Sequence, residues 1–386
     1  SIASRSWLIR HTLMQLKAAV LSVVLLTPRH HVEAKPGQLK RATEGPKPLR
    51  VQVDPGKTIG YISPLIYGVE AVTVPATPHP AEGDRWMSEI ATHGARMMRL
   101  QVKDTDERNL SSLLGVLKQA RLNGLSTMLT FHDLDEVPAT EAAIQKTLSA
   151  LADEGMSVSR VELPKSLSDS LVQRLSARET AKDVPEAGRF LDPWRALSDT
   201  CFYLRTSLDP PWPLGDGESL CALLSSALPL RFGLAVSGSS ELTADLAAML
   251  QKASRDLKTT RKAASIGLFC PVDLSALFND PESQREDRVA TLLASTLMSL
   301  PAQGVTLAAT RIEDPASWFP VHLAYQLLSG WGSVYGLQAS VVAPAPLKAW
   351  AAKTPGRTSL CLINPENTDL AVRVEWKLAR GIYSVA

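Results

Sequence analysis

Eight short apolar runs recur between Leu65 and Asp314, and the segments between several of them carry apolar residues at helical spacing. The runs are Leu65–Val69, Arg96–Val102, Thr127–Phe131, Ser157–Leu163, Cys201–Thr206, Arg231–Val236, Ser265–Phe269 and Val305–Ala309. Strands that are nearly continuously apolar must be covered on both faces, which parallel sheets achieve by alternating with helices. Helical spacing is read over Trp86–Thr92, Leu110–Asn123, Thr140–Glu154, Glu241–Leu257 and Arg288–Leu300. Gly124 stands where a left-handed C-terminal cap would stop the second of these helices. Eight such units predict an α/β chain folded as a (β/α)₈ TIM barrel.

The period changes after Gly336, where Ser340–Ala343, Ser359–Ile363, Ala371–Trp376 and Ile382–Val385 are separated by turn residues such as Asn364-Pro365-Glu366-Asn367. Leu49–Asp54 alternates in the same way ahead of the barrel. These runs predict a small antiparallel β-sandwich module built from both chain ends. A barrel of about 250 residues plus such a module suits the chain, whose length is 386 residues. The expected division is an N-terminal extension over 1–48, a strand joining the module over 49–58, the barrel over 59–336 and the C-terminal β module over 337–386.

A formal net charge of +2 and the lack of a long Lys/Arg run argue against nucleic acid as a partner. The four cysteines fit no metal-ligand spacing, and Cys201 with Cys221 is the one pairing considered, free thiols being the alternative. Before Glu33 there is no acidic residue, and Arg5, Arg10 and Lys17 precede or interrupt the apolar run Leu13–Leu26. That run is shorter than the roughly 20 residues a bilayer takes. A secretory signal, with Val32-Glu33-Ala34 as its cleavage site, and an organelle transit peptide both fit. The preferred reading is a retained segment docking on a membrane or on protein partners in a larger assembly, in a secretory, periplasmic or organellar setting. A helix packed on the barrel is the plainer alternative.

The pattern resembles the clan A glycoside hydrolases that carry a barrel and a small β-sandwich. The residues that carry the likeness are Gly60-Tyr61-Ile62-Ser63-Pro64-Leu65-Ile66-Tyr67-Gly68, the helix with Trp86 leading to Gly94-Ala95-Arg96-Met97-Met98-Arg99-Leu100, His322–Leu328, and Leu360–Pro365. The resemblance covers about residues 50–386 and implies two catalytic carboxylates, an acid/base Glu after Asn at the end of strand four and a nucleophilic Glu at the end of strand seven. Here Val161-Glu162 stands in place of Asn-Glu, so Glu162 is the acid candidate. The nucleophile position falls near Leu268 or Phe269, and Asp273 lies four or five residues later. Retention requires the two carboxyl groups about 5 Å apart.

Each candidate has a plainer role beside the catalytic one. Glu162 could act as an acid in an apolar pocket, or form an ion pair at the barrel rim with Lys165. Asp273 could attack a sugar, or cap the helix that follows it. His132 and Asp133 follow strand three, at the face where barrel sites are built, and could contact sugar hydroxyls or a metal, or be solvated loop charge. Glu70 after strand one and Arg311, Glu313 and Asp314 after strand eight could form a polar network across the mouth. Trp212 and Trp318 are candidate sugar platforms, or packing residues. Gly-rich phosphate loops, a Ser nucleophile elbow and a His-Glu-x-x-His pair are all missing from the sequence, and the reading calls for no cofactor and no metal. The expected protein is a glycosidase-like barrel without turnover, serving as a structural or accessory subunit. The alternatives are an active retaining glycosidase using Glu162, and a carbohydrate-binding protein.

Overall fold

Period-two alternation within each parallel strand sorts its side chains between the inside of a barrel and a surrounding layer of helices. In the computed structural model, β2 (Gly68–Ala71), β3 (Met97–Val102), β4 (Ser126–Phe131), β5 (Arg160–Leu163), β6 (Cys201–Thr206), β7 (Arg231–Val236), β8 (Leu268–Val272) and β9 (Val305–Ile312) close into an eight-stranded barrel in that order. The structure describes residues 48–71, 87–102, 107–134, 136–170, 200–206, 231–236, 268–272, 286–312, 318–328, 334–341, 347–354, 357–364, 370–378 and 381–385. The barrel is the one the eight apolar runs predict. The extension over 1–47 and the predicted helix Glu241–Leu257 lie outside the described residues.

Inside the barrel, Met97, Met128, Cys201, Tyr203, Leu307 and Ala309 form one apolar cluster, with Leu65 packed against it. Their sequence neighbours Met98, Leu129, Phe202, Leu204 and Ala308 belong to the larger core shared with the helices. Such a filled interior is what an eight-stranded barrel requires, since its diameter leaves room for side chains and little else. The helices that cover it include residues 87–92, α1 (Glu107–Leu122), α2 (Val137–Asp153), residues 165–170, α3 (Glu286–Ser299) and α4 (Trp318–Leu328).

Three returns from helix to strand use the same device. Gly94, Gly124 and Gly155 have φ of 101°, 70° and 72°. The amide after each glycine bonds back into the helix: Ala95 N–H to Ile90 O, Leu125 N–H to Ala120 O and Met156 N–H to Leu151 O. This is the six-to-one bond of a Schellman cap, with a buried apolar residue directly after the glycine. Gly124 therefore does what its position predicts.

The chain ends form a second sheet in the order β12–β11–β10–β1–β13–β14, made of β1 (Leu49–Ile62), β10 (Val334–Val341), β11 (Lys348–Thr354), β12 (Arg357–Ile363), β13 (Val372–Leu378) and β14 (Gly381–Val385). It supplies the expected β module, with one pair, β1 with β13, running parallel. One face carries Val51, Val53, Ala351, Leu360 and Leu362. The alternate residues Ala352 and Ile363, with Trp350 and Cys361, join the barrel core beside Ile62, Tyr67 and Tyr325. Burial pushes the Cys361 thiol up to about 12. Among the described residues no helix is long and apolar enough to cross a membrane.

Candidate functional site at the barrel mouth

One layer above the apolar interior cluster, the same strands present polar residues. Parallel register sets Glu70 beside Arg99 on one side and Arg311 on the other, and sets Thr130 beside Glu162. Two residues towards the C-terminal end place Arg99 above Met97, Thr130 above Met128, Glu162 above Arg160 and Arg205 above Tyr203.

Glu162 is the centre of this layer. Arg99 donates to its Oε2 from Nε at 2.7 Å and from Nη2 at 2.6 Å. Arg205 donates to Oε1 from Nε at 2.7 Å. The Glu162 side chain is 2% exposed and that of Arg99 8%, whereas Arg205 is 28% exposed and faces the opening. Thr130 Oγ1 accepts from Arg205 Nη2 at 2.7 Å and from Arg99 Nη2 at 3.4 Å. The second carboxylate, Glu70, lies 2.5 Å from Arg99 Nη1 and is buried. Burial pulls the Arg99 guanidinium down, but Glu162 and Glu70 outweigh it, so its proton is held above the usual arginine range.

The surrounding segments hold this cluster in place. The Arg205 N–H donates to Ser168 Oγ at 3.1 Å, and Ser168 Oγ lies 2.8 Å from the carbonyl of Pro164. The turn of helix after β5 thus fixes the strand that carries Arg205. Asp133, on the loop after β4, accepts from the backbone N–H of Ser166 at 3.2 Å and from its hydroxyl. Burial, reinforced by Asp133 and opposed by Lys165, raises the Asp169 carboxyl above its ordinary value.

The candidates separate accordingly. Glu70 and Glu162 come together through Arg99, and among the described residues the ion-pair partners of Glu162 are Arg99 and Arg205 rather than Lys165. His132 is exposed at the same end, and Asp133 is exposed and engaged with Ser166. Trp318 is the first residue of α4. Trp212, Asp273 and Glu313 lie outside the described residues. Sequence reasoning passed over Arg99, Thr130 and Arg205. The signal was there: each is a polar residue in an apolar run, at the phase of the barrel interior.

Strand β8 runs to Val272, three residues beyond the predicted end at Phe269, and so takes in Pro271. The described strand thus extends past Leu268 and Phe269, near which the nucleophile is expected. Phe269 pairs with Ala235 and Leu307, well below the strand's end. Among the described residues no group of three or more His, Cys, Asp or Glu side chains is arranged to hold a metal ion.

No family model matches the sequence, and no curated protein matches it either. Solved structures do. A GH51 arabinofuranosidase from Xanthomonas axonopodis pv. citri superposes with a TM-score of 0.55 at 11% identity, over 86% of this chain and 88% of that one. A GH30 endoxylanase from Clostridium papyrosolvens C71 gives 0.56 at 12% identity, over 85% and 88%. A family 51 α-L-arabinofuranosidase from Bifidobacterium longum gives 0.54 at 12% identity, over 86% and 88%. At such identities the likeness speaks for architecture alone, because one barrel fold hosts many chemistries. The chain thus has a glycoside hydrolase-like fold, a (β/α)₈ barrel with a β module made from its two ends.

Proposed function

We propose that this protein is a glycosidase-like barrel without glycosidase turnover, acting as a structural or accessory subunit. The observation that carries the reading is the double engagement of Glu162, whose Oε2 is taken by Arg99 and Oε1 by Arg205. A general acid must carry a proton and aim it at the leaving oxygen, and a nucleophile must aim a free lone pair at the sugar carbon. A carboxylate whose two oxygens both accept from guanidinium groups is oriented by those arginines, with fewer lone pairs left for either task. Its role is instead to neutralise two arginines inside the barrel, and theirs is to neutralise it. In keeping with this reading, Leu268–Val272 contains no carboxylate.

One observation favours the rival reading of an active enzyme: β8 ends at Val272, so Asp273 follows the strand directly. Both readings are separated by one experiment. The full chain and its Glu162→Gln and Asp273→Asn variants are assayed on a panel of aryl glycosides, arabinofuranosides and xylosides included. The accessory reading expects no hydrolysis above buffer for any of the three. Turnover by the parent that is lost in either variant overturns it.

The partner-binding part of the proposal falls on residues 1–48, where basic residues flank an apolar run without acids before Glu33. Removal of that segment should abolish co-sedimentation with anionic vesicles or co-elution with a larger assembly, and leave the unfolding transition of the barrel unchanged.

A further inference from the structure

The ring of helices closes where α4 comes round beside residues 87–92, and the two elements meet through a pair of imidazoles. His93 and His322 stack face to face, with ring centroids 3.5 Å apart and planes 17° from parallel. Both are half-buried. One residue on from His93, Gly94 packs so closely that an added Cβ would stand 3.2 Å from the carbonyl oxygen of Tyr325. Tyr325 anchors α4 from its other side. It is fully buried, its hydroxyl bonds to the Gly68 carbonyl, and Thr310 Oγ1 lies 3.0 Å away. Helix α4 therefore has a hard anchor facing β2 and β9 and an imidazole stack facing the helix over 87–92.

Neutral imidazoles place no net charge across this contact, which dispersion between the two ring faces holds. Two imidazolium rings would bring like charges to contact distance in a partly desolvated place, where screening is weak. Glu89, one turn before His93, and Gln326, one turn after His322, favour a proton on His322. Arg96 donates to the Ala91 carbonyl at 3.2 Å, which adds a cation at the same helix end. Burial first, and His93 second, hold the His322 imidazole below its ordinary value.

We propose that the His93–His322 stack is an acid-released latch, whose neutral form holds α4 against the end of the helix over 87–92 and whose protonation frees that seam while Tyr325 keeps α4 attached. The device needs no ligand and stands apart from the barrel mouth.

Hydrogen exchange of the full chain, corrected for intrinsic rates, tests it at about pH 7.5 and about pH 5.5. Amides of residues 91–96 and of the first turns of α4 should lose about tenfold or more in protection at the lower pH. Those of α2 should not change. His322→Phe keeps an aromatic ring in the stack but cannot take a proton, and should keep the seam protected at both pH values; His93→Phe should do the same independently. Equal protection at both pH values in the parent overturns the proposal. So does an acid-induced loss that survives in a folded Phe variant.

Discussion

Arg99 and Glu162 form an ion pair inside the barrel, with Nη2 and Oε2 2.6 Å apart and both side chains almost wholly removed from water. The same guanidinium reaches Glu70 at 2.5 Å, so one cation spans strands β2, β3 and β5. Buried pairs of this kind are poor evidence of net stability, because desolvation offsets much of the attraction. Breaking one is costly, since the partner stays behind uncompensated.

Arg99→Met should therefore leave two carboxylates without their shared cation and destabilise the barrel by about 3–5 kcal/mol. Urea unfolding of parent and variant measures this. Arg99→Lys should recover only part of the loss, because a single ammonium cannot supply the separate Nε, Nη1 and Nη2 contacts. Full recovery by lysine would show that the charge alone matters and the fork geometry does not.

Tyr325→Phe removes a fully buried hydroxyl that serves both the Gly68 carbonyl and Thr310. The two groups are left buried without their partner, a loss of about 1–3 kcal/mol. Gly68→Ala should cost at least as much by a different route, since its Cβ would collide with the Ala308 carbonyl and stand 2.7 Å from Met97 Cε. The double variant should be less than additive, because a Gly68 displaced by its clash already weakens the bond from its carbonyl to the Tyr325 hydroxyl. Thermal or urea unfolding of the three variants gives the coupling.

Acid stability of the β module should depend on Glu375. The hydrogen bond from Arg50, at 3.0 Å and 2.8 Å to the two carboxylate oxygens, holds the Glu375 carboxyl below its ordinary 4.5, with Gln52 and Arg373 adding to the effect against the opposing pull of burial. A carboxyl depressed by folding contributes stability that is complete above 4.5 and fades as the pH falls further, since the unfolded chain then takes up the proton first. Glu375→Gln should remove that acid-dependent part, flattening the fall of the urea midpoint between about pH 5 and pH 3. Added salt should weaken the parent's dependence, because Arg50 is half exposed. An unchanged slope in the variant would assign the acid sensitivity elsewhere.

The barrel was legible because its strands and helices obey different periods, and strands β6 and β7 coincide with their predicted spans, Cys201–Thr206 and Arg231–Val236. Lys348–Thr354 and β8 are two of the strands that depart from the reading. Lys348–Thr354, Lys-Ala-Trp-Ala-Ala-Lys-Thr, has little strand propensity and was passed over; its place between β10 and β12 makes it a strand. Strand β8, predicted to end at Phe269, keeps its pairing with β9 through Pro271 to Val272, although proline has no amide to give to a ladder. The ion cluster was half visible. Glu70 and Glu162 stand out as acids after apolar runs, but that Arg99 and Arg205 grip the same carboxylate follows from closure of the barrel, which brings together residues 63 and 43 positions away from Glu162.

The glycine caps provide a graded test of how the repeating unit is punctuated. Gly124 and Gly155 have φ of 70° and 72°, and a Cβ at either would meet nothing within 4 Å. Alanine there should cost only the left-handed backbone term, about 1–2 kcal/mol. Gly94 has φ of 101° and the Tyr325 carbonyl oxygen 3.2 Å from the position of a Cβ, so Gly94→Ala adds crowding to the same backbone term. The expected order of unfolding midpoints is parent, then Gly124→Ala and Gly155→Ala together, then Gly94→Ala lowest. Asparagine tolerates the left-handed region better than alanine, so Gly124→Asn should recover part of the loss. Gly94→Asn should not, because its Cβ meets the same carbonyl. Equal losses at all three alanine positions would mean that α4 does not press on Gly94 as the structure shows.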